Sequence, residues 1–186
     1  MGELIQIISI AFPVSEVLLF LLKRTGKKQG AVKGDKGSVI ILWSVIFAAV
    51  YFSMVLSAKF PRNNPIELLQ ASGIVIFIVG AIIRWIAIVQ LGRYFTVDVA
   101  MQPSHRIKND GLFTYVRHPS YTGLVLEFLG FSLLFNSWYP LFIMNIPIFI
   151  ALVYRMHIEE AMLLSHFGDP YRDYMSKRKR IFPFVF

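Results

Sequence analysis

"LLQASGIVIFIVGAIIRWIAIVQL", Leu68–Leu91, is a 24-residue run with one charged residue, Arg84. About 20 apolar helical residues cross roughly 30 Å of hydrocarbon, so this run is long enough to span a bilayer. Four further apolar runs lie on either side, at Leu4–Leu22, Ser38–Ala58, Pro119–Phe135 and Trp138–Tyr154. The first two have 19 and 21 residues and reach the same length. The last two have 17 each, about 25 Å at ~1.5 Å per residue. The tight link Asn136-Ser137-Trp138 makes them a helical hairpin with a snorkelling or locally thinned end, or a re-entrant one.

Composition agrees. Of 186 residues, 56% are hydrophobic and 16% charged, against about 25% charged in a soluble domain. With zero cysteines, disulfides, thiolate metal sites, a catalytic Cys and S-acylation are excluded. The first run reads as a membrane span rather than a signal peptide, because Glu3 stands where a basic region belongs. The expected fold is therefore an all-α membrane protein of about five transmembrane helices. Residues 1–91 form the N-terminal three, and residues 92–186 form a second half made of a loop, the hairpin and a C-terminal helix.

The net charge of +8 alone would suit nucleic acid, but the cations are placed by topology. Segments 23–38, 92–118 and 155–186 together carry 16 basic residues, and segment 59–67 carries 2. The positive-inside rule puts the first three in the cytosol, with the N-terminus out and the C-terminus in. Their partners are then anionic lipid headgroups, not nucleic acid. "TGKKQGAVKGDKG" (25–37) reads as a flexible linker, and "KRKR" (177–180) as a headgroup anchor.

Polar chemistry concentrates in two stretches, "SHRIKNDGLFTYVRHPSY" (104–121) and "RMHIEEAMLLSHFGDPYRDY" (155–174). The hairpin between them returns the chain to the same face, so His118 and Arg155 are expected as near neighbours. Asn109-Asp110-Gly111 reads as a turn with a positive φ at Gly111. Pro119 fits the first position of a helix, where a missing N–H costs nothing. Arg155 and Glu159 share a helix face, which by itself is a weak i,i+4 pair because Arg precedes Glu. Glu160 points about 140° away from Arg155. Four scattered histidines without paired spacing give no metal site. Arg84 near a membrane edge can snorkel or contact Glu127, and Glu16 faces either the bundle or the outer surface.

Taken together, Gly111, Phe113, Arg117-His118-Pro119, Tyr121, the hairpin, Arg155, Glu159-Glu160, Phe167-Gly168, Tyr171 and Tyr174 resemble the isoprenylcysteine carboxyl methyltransferase family over residues 92–183. The shared pattern is G-x-[YF]-x-x-x-R-H-P-x-Y, then R-x-x-x-E-E, then F-G-x-x-Y-x-x-Y. Phe113 departs from the tyrosine frequent in relatives, which removes any hydroxyl contact there.

The resemblance implies an integral membrane enzyme. Such an enzyme transfers a methyl group from S-adenosyl-L-methionine to the carboxylate of a prenylated cysteine entering from the bilayer. Its membrane would be the prokaryotic plasma membrane or the eukaryotic endoplasmic reticulum. By the same resemblance His105, Arg106, Ile107, Lys108, Phe113, His118, Pro119, Ser120, Tyr121 and Glu159 contact the cofactor, and Arg155 faces the substrate carboxylate. Three other readings compete: a methyltransferase for a phospholipid amine, small thiol or isoprenoid or polyketide hydroxyl; an NADPH-dependent reductase of the sterol reductase type; and a non-enzymatic transporter or scaffold.

Overall fold

The computed structural model describes residues 2–23, 32–35, 37–61, 66–95, 99–101, 106–135 and 137–183. Seven helices follow in order: α1 (Gly2–Lys23), α2 (Gly37–Lys59), α3 (Glu67–Leu91), α4 (Pro119–Leu134), α5 (Tyr139–Ile143), α6 (Asn145–Phe167) and α7 (Asp169–Lys177). Three stretches are long and apolar enough to cross a membrane: Gly37–Lys59, Glu67–Leu91 and Tyr139–Phe167. Gln6–Leu19 and Pro119–Leu134 are shorter apolar helices. The chain is an integral membrane protein whose apolar side chains, such as Val89, Ile150 and Leu68, cover its outside.

The all-α expectation holds apart from one ribbon. β1 (Val32–Asp35) pairs antiparallel with β2 (Val99–Met101), Val32 opposite Met101, with an irregularity between Lys33 and Asp35. Part of the linker read as flexible is thus ordered, because strand pairing satisfies its backbone groups. Asp35 then caps α2. Its Oδ1 accepts from Gly37 N at 2.7 Å and its Oδ2 from Ser38 N at 2.9 Å.

The closest helix pair is α3 with α4, and α2 packs on α6. The arms of the expected hairpin therefore lean chiefly on other helices. Glycine makes the α3–α4 approach possible. Gly73 faces Gly130 and Gly80 faces Gly123, in an antiparallel arrangement. A Cβ on Gly130 would stand 2.4 Å from Phe77 N, and one on Gly80 2.7 Å from Gly123 O. α1 reaches this pair through Phe12, whose ring sits edge-on to Phe77 and Phe128 at 5.3 and 5.2 Å between centroids.

The fifth apolar run does not end at Tyr154. It breaks at Met144 between α5 and α6, where Pro147 lacks the N–H that would bond Ile143. The helix then continues to Phe167, with Arg155 and Glu160 partnered inside the bundle and Glu159 left part-exposed. Gly168, at φ +61°, lets α7 turn away. The C-terminal segment folds back beside the start of α4. Arg117 N donates to Lys179 O at 2.8 Å and His118 N to Arg180 O at 2.9 Å, and Ile181 is fully buried. The "KRKR" segment is therefore part of the fold, not only a headgroup anchor. The ribbon, the 106–118 loop and this segment gather around the α2 and α4 starts and the α6 end.

Candidate active site

Pro119 opens α4, as expected, with His118 as the residue ahead of it. The His118 carbonyl is used locally, accepting from Tyr121 N and Thr122 N, both at 3.0 Å. Gly111 has φ +58° and lies against Gln90 of α3, whose Oε1 accepts from Leu112 N at 3.0 Å. The turn read from Asn-Asp-Gly is thereby fastened to the end of α3.

From this start, α4 turns two polar layers toward α6. In the first, Tyr121 donates its hydroxyl hydrogen to Glu159 Oε2 at 2.9 Å. The same hydroxyl accepts from Arg155 Nε at 2.9 Å. Arg155 Nη1 donates onward to Ser38 Oγ at 2.9 Å, at the start of α2. Arg155 and Glu159 are thus joined by a phenol from another helix, an arrangement their i,i+4 spacing does not disclose. Glu159 keeps its side chain 33% exposed, while Arg155 is buried.

In the second layer, Glu160 is buried and surrounded by cations. Its Oε1 accepts from Arg117 Nε at 2.8 Å and faces His118 Nε2 at 3.0 Å. Its Oε2 accepts from Arg180 Nε and Nη2 at 3.0 and 2.9 Å. Arg117 Nη1 also donates to Met175 O and Arg178 O, at 2.8 and 2.6 Å. Such a carboxylate is a structural clasp, since its lone pairs are spent on fixed charged donors. Its role was not legible from spacing, because Arg180 lies in what reads as a solvated basic run.

His118 and Arg155, expected as near neighbours, are linked through Tyr121, whose ring stacks on His118 at 5.4 Å and whose hydroxyl accepts from Arg155. The residue that His118 Nδ1 itself faces on α6 is Glu159, with Oε2 at 3.9 Å. Ser120 is buried and its hydroxyl lies 3.4 Å from Arg84 Nη1, while Pro119 is fully buried. The Phe113 ring is 5% exposed, and its carbonyl accepts from the Tyr174 hydroxyl at 2.7 Å. Arg106 is exposed and Ile107 half-buried, and Lys108 pairs with Asp110 Oδ2 at 3.0 Å. His105 lies outside the described residues. The two tyrosines of the F-G-x-x-Y-x-x-Y stretch glue α7 under the loop. Burial pushes the Tyr174 phenol up to about 12 and raises the Tyr171 phenol as well.

Arg155 and Tyr121 also border a cavity between α1, α2, α3, α4 and α6. Arg84 completes its polar end, and Leu19, Leu42 and Trp43 give an apolar wall. Its volume is about 60 Å³, against roughly 300–1,000 Å³ for a typical ligand pocket. An amphiphile would have to part the helices to enter. The arrangement thus offers two connected compartments: an apolar cavity with guanidiniums at one end, and a polar rim at Glu159 and His118.

Residues 73–165, half of the chain, match the model of the isoprenylcysteine carboxyl methyltransferase (ICMT) family. The match begins inside α3, earlier than the motifs alone suggest, and so takes in Gly80 and Arg84. A protein-S-isoprenylcysteine O-methyltransferase of Schizosaccharomyces pombe is 32% identical over 124 residues, 64% of this chain and 52% of that protein. One from Tribolium castaneum is 29% identical over 145 residues, 77% and 49% of the two chains. A solved structure of the eukaryotic intramembrane Ras methyltransferase ICMT superposes with a TM-score of 0.60 at 27% identity, covering 80% of this chain and 51% of that one. The chain spans about half the length of these relatives. With the family model matching from Gly73 through Ser165 and the helices arranged as in a solved member, the chain belongs to the isoprenylcysteine carboxyl methyltransferase family.

Proposed function

We propose that this protein is an S-adenosyl-L-methionine-dependent O-methyltransferase. Its acceptor is a lipophilic carboxylate entering from the bilayer, an isoprenylcysteine or a similar prenylated compound. The observation that carries this reading is the Arg155–Tyr121–Glu159 line, which joins an apolar cavity to a polar rim. The donor set at the rim fits the cofactor. Glu159 offers a half-exposed carboxylate for an ammonium or ribose hydroxyls, and His118 and Tyr121 lie beside it. His105, Arg106, Ile107 and Lys108 are assigned to the cofactor by family resemblance.

S-adenosyl-L-methionine supplies a methyl group on a positively charged sulfur. A carboxylate, with a pKa near ~4, is already ionised at neutral pH and needs no general base to accept it. Arg155 holds that carboxylate by a charge-assisted pair without protonating it. The apolar wall excludes water, which favours a step in which opposite charges cancel. The protein's work is then placement of two groups. A hydroxyl acceptor would need a base, His118 or Glu160; two guanidiniums hold Glu160, and His118 Nε2 is turned to that same carboxylate at 3.0 Å. This favours the carboxylate over the hydroxyl reading.

The sidedness follows the charges: the ribbon, the 106–118 loop and the C-terminal segment are assigned to the cytosol, and the N-terminus to the opposite side. Their gathering at one end of the bundle supports that assignment.

Calorimetric titration of the detergent-purified protein with S-adenosyl-L-methionine, and in parallel with NADPH, tests the reading. Binding of the first alone is expected. Binding of NADPH alone would transfer the protein to the reductases.

A further inference from the structure

The cavity contains a second guanidinium that the reaction described above leaves without a task. Arg84, on α3, donates through Nε to Glu16 Oε1 at 2.9 Å and through Nη2 to Glu16 Oε2 at 2.7 Å. This is a fork-to-carboxylate pair. Its Nη1 lies 3.4 Å from the Ser120 carbonyl and hydroxyl, one residue before Tyr121. Glu16, Arg84, Tyr121 and Arg155 all line the same cavity. On the far side, Glu127 of α4 brings Oε2 to 3.8 Å from Arg84 Nε. That oxygen is buried and has no hydrogen-bond partner among the described residues.

Three features need a common explanation. Two carboxyl groups lie against one guanidinium, although a structural ion pair needs only one, and burying a second ionisable group is costly. The paired carboxylate comes from α1, which reaches the bundle through side chains, whereas α3 and α4 touch backbone to backbone. The pair also faces a cavity and not close-packed core.

We propose that Arg84 is a second carboxylate-holding group of the acceptor cavity, and that Glu16 occupies its fork until an acceptor carboxylate takes the place. The proposal rests on the reading of this cavity as the acceptor site. The exchange is like for like, one carboxylate for another on the same two donors. Glu127 stays within 3.8 Å, so Arg84 keeps a carboxyl neighbour while Glu16 leaves. Leu19, three residues on from Glu16, belongs to the cavity wall, so moving Glu16 also moves that wall. Binding of the head thereby widens a space of about 60 Å³ for the tail. Arg155 and Arg84 then hold the acceptor head from two sides.

The test uses S-farnesylthioacetic acid and its primary amide, with binding followed by quenching of Trp43 in the cavity wall. Trp85→Phe and Trp138→Phe remove the other two fluorophores. Glu16→Gln is expected to tighten the acid about tenfold while leaving the amide within about twofold. Glu16→Gln combined with Arg84→Gln, which replaces both charges by neutral amides, is expected to lose that gain. An acid affinity that Glu16→Gln leaves unchanged or weakens overturns the proposal, with the methyl-acceptor reading intact through Arg155. A Glu16→Gln protein that no longer unfolds cooperatively also overturns it, since a stand-in must be dispensable. If wild type binds neither probe, the acceptor reading itself fails and the proposal falls with it.

Discussion

Tyr121 on α4 donates its hydroxyl hydrogen to Glu159 Oε2 on α6 over 2.9 Å, and the same oxygen accepts from Arg155 Nε. One hydroxyl therefore sets the distance between the cavity and the polar rim. Tyr121→Phe keeps the ring that stacks on His118 and deletes both bonds. Hydrogen bonds to charged groups are worth about 1.5–3 kcal/mol, so turnover should fall at least about tenfold. Initial rates with a labelled methyl donor check this, beside a thermal melt showing that the fold persists.

The two ends of that line should fail differently. Glu159→Ala is expected to abolish cofactor binding in calorimetry. Arg155→Ala is expected to spare cofactor binding and lose turnover. Retained cofactor affinity in the first, or unchanged turnover in the second, would contradict the roles assigned to them.

Asp35 ties the start of α2 to pH. The Ser38 hydroxyl, with backbone N–H groups of Ser38 and Gly37, holds its carboxyl below the usual carboxylate range, against a raising effect of burial. A depressed carboxyl contributes stability above its unfolded value of about 3.9, and that contribution fades as pH falls through the folded value. Asp35→Ala should cost about 1 kcal/mol at pH 7, as for other helix caps. Its melting temperature should converge on that of wild type as pH falls through the folded value. Thermal midpoints measured across that range decide it. Ser38 also receives Arg155 Nη1, so the variant should show a small loss of turnover too.

Arg180→Ala removes two of the charge-assisted bonds to Glu160 and loosens the returning C-terminal segment. Trypsin cleavage around residues 177–180 should accelerate several-fold. Glu160→Gln should be more severe, by about 3–5 kcal/mol, because it leaves buried guanidiniums uncompensated. A Glu160→Gln protein with wild-type stability would mean that solvent already serves those cations.

Gly130→Ala should lower stability by about 1–3 kcal/mol through overpacking, since its Cβ meets the backbone of Phe77. Val89→Ala, on the exposed flank of the same helix pair, should stay within about 0.5 kcal/mol. Chemical denaturation of both variants in one detergent gives the comparison.

Much of this architecture is legible in the sequence, and the remainder has identifiable physical reasons. Apolar length alone finds α2 and α3, and Pro119 after His118 marks the start of α4 to the residue. That His118 comes near the α6 motif follows from a connection that returns the chain to its starting face, although the partner it faces is Glu159 and Arg155 is reached through Tyr121. What escapes is pairing at a distance. Glu16 and Arg84 are 68 residues apart, and nothing local distinguishes a carboxylate facing its partner from one facing lipid. The length of the last long helix is another case: α6 runs beyond Tyr154 to Phe167, with Arg155 and Glu160 partnered inside the bundle, whereas composition ends the apolar run at Tyr154. Lys177 to Arg180 look solvated until Glu160 is known to be buried.

The glycine contacts between α3 and α4 impose a register. Gly73 and Gly80 are seven residues apart, as are Gly123 and Gly130, so the two helices mesh at matched notches two turns apart. Sliding one helix by a single turn would drive a side chain such as Phe77 or Leu126 into a notch shaped for a hydrogen. The axial position of α4 is therefore discrete, with no graded intermediate between engaged and disengaged. Because His118, Ser120 and Tyr121 ride on the start of α4, their height against α6 is indexed by Gly123, beside them, and by Gly130, about two and a half turns beyond Tyr121. Selection on those glycines would be selection on the depth at which the two reacting groups meet.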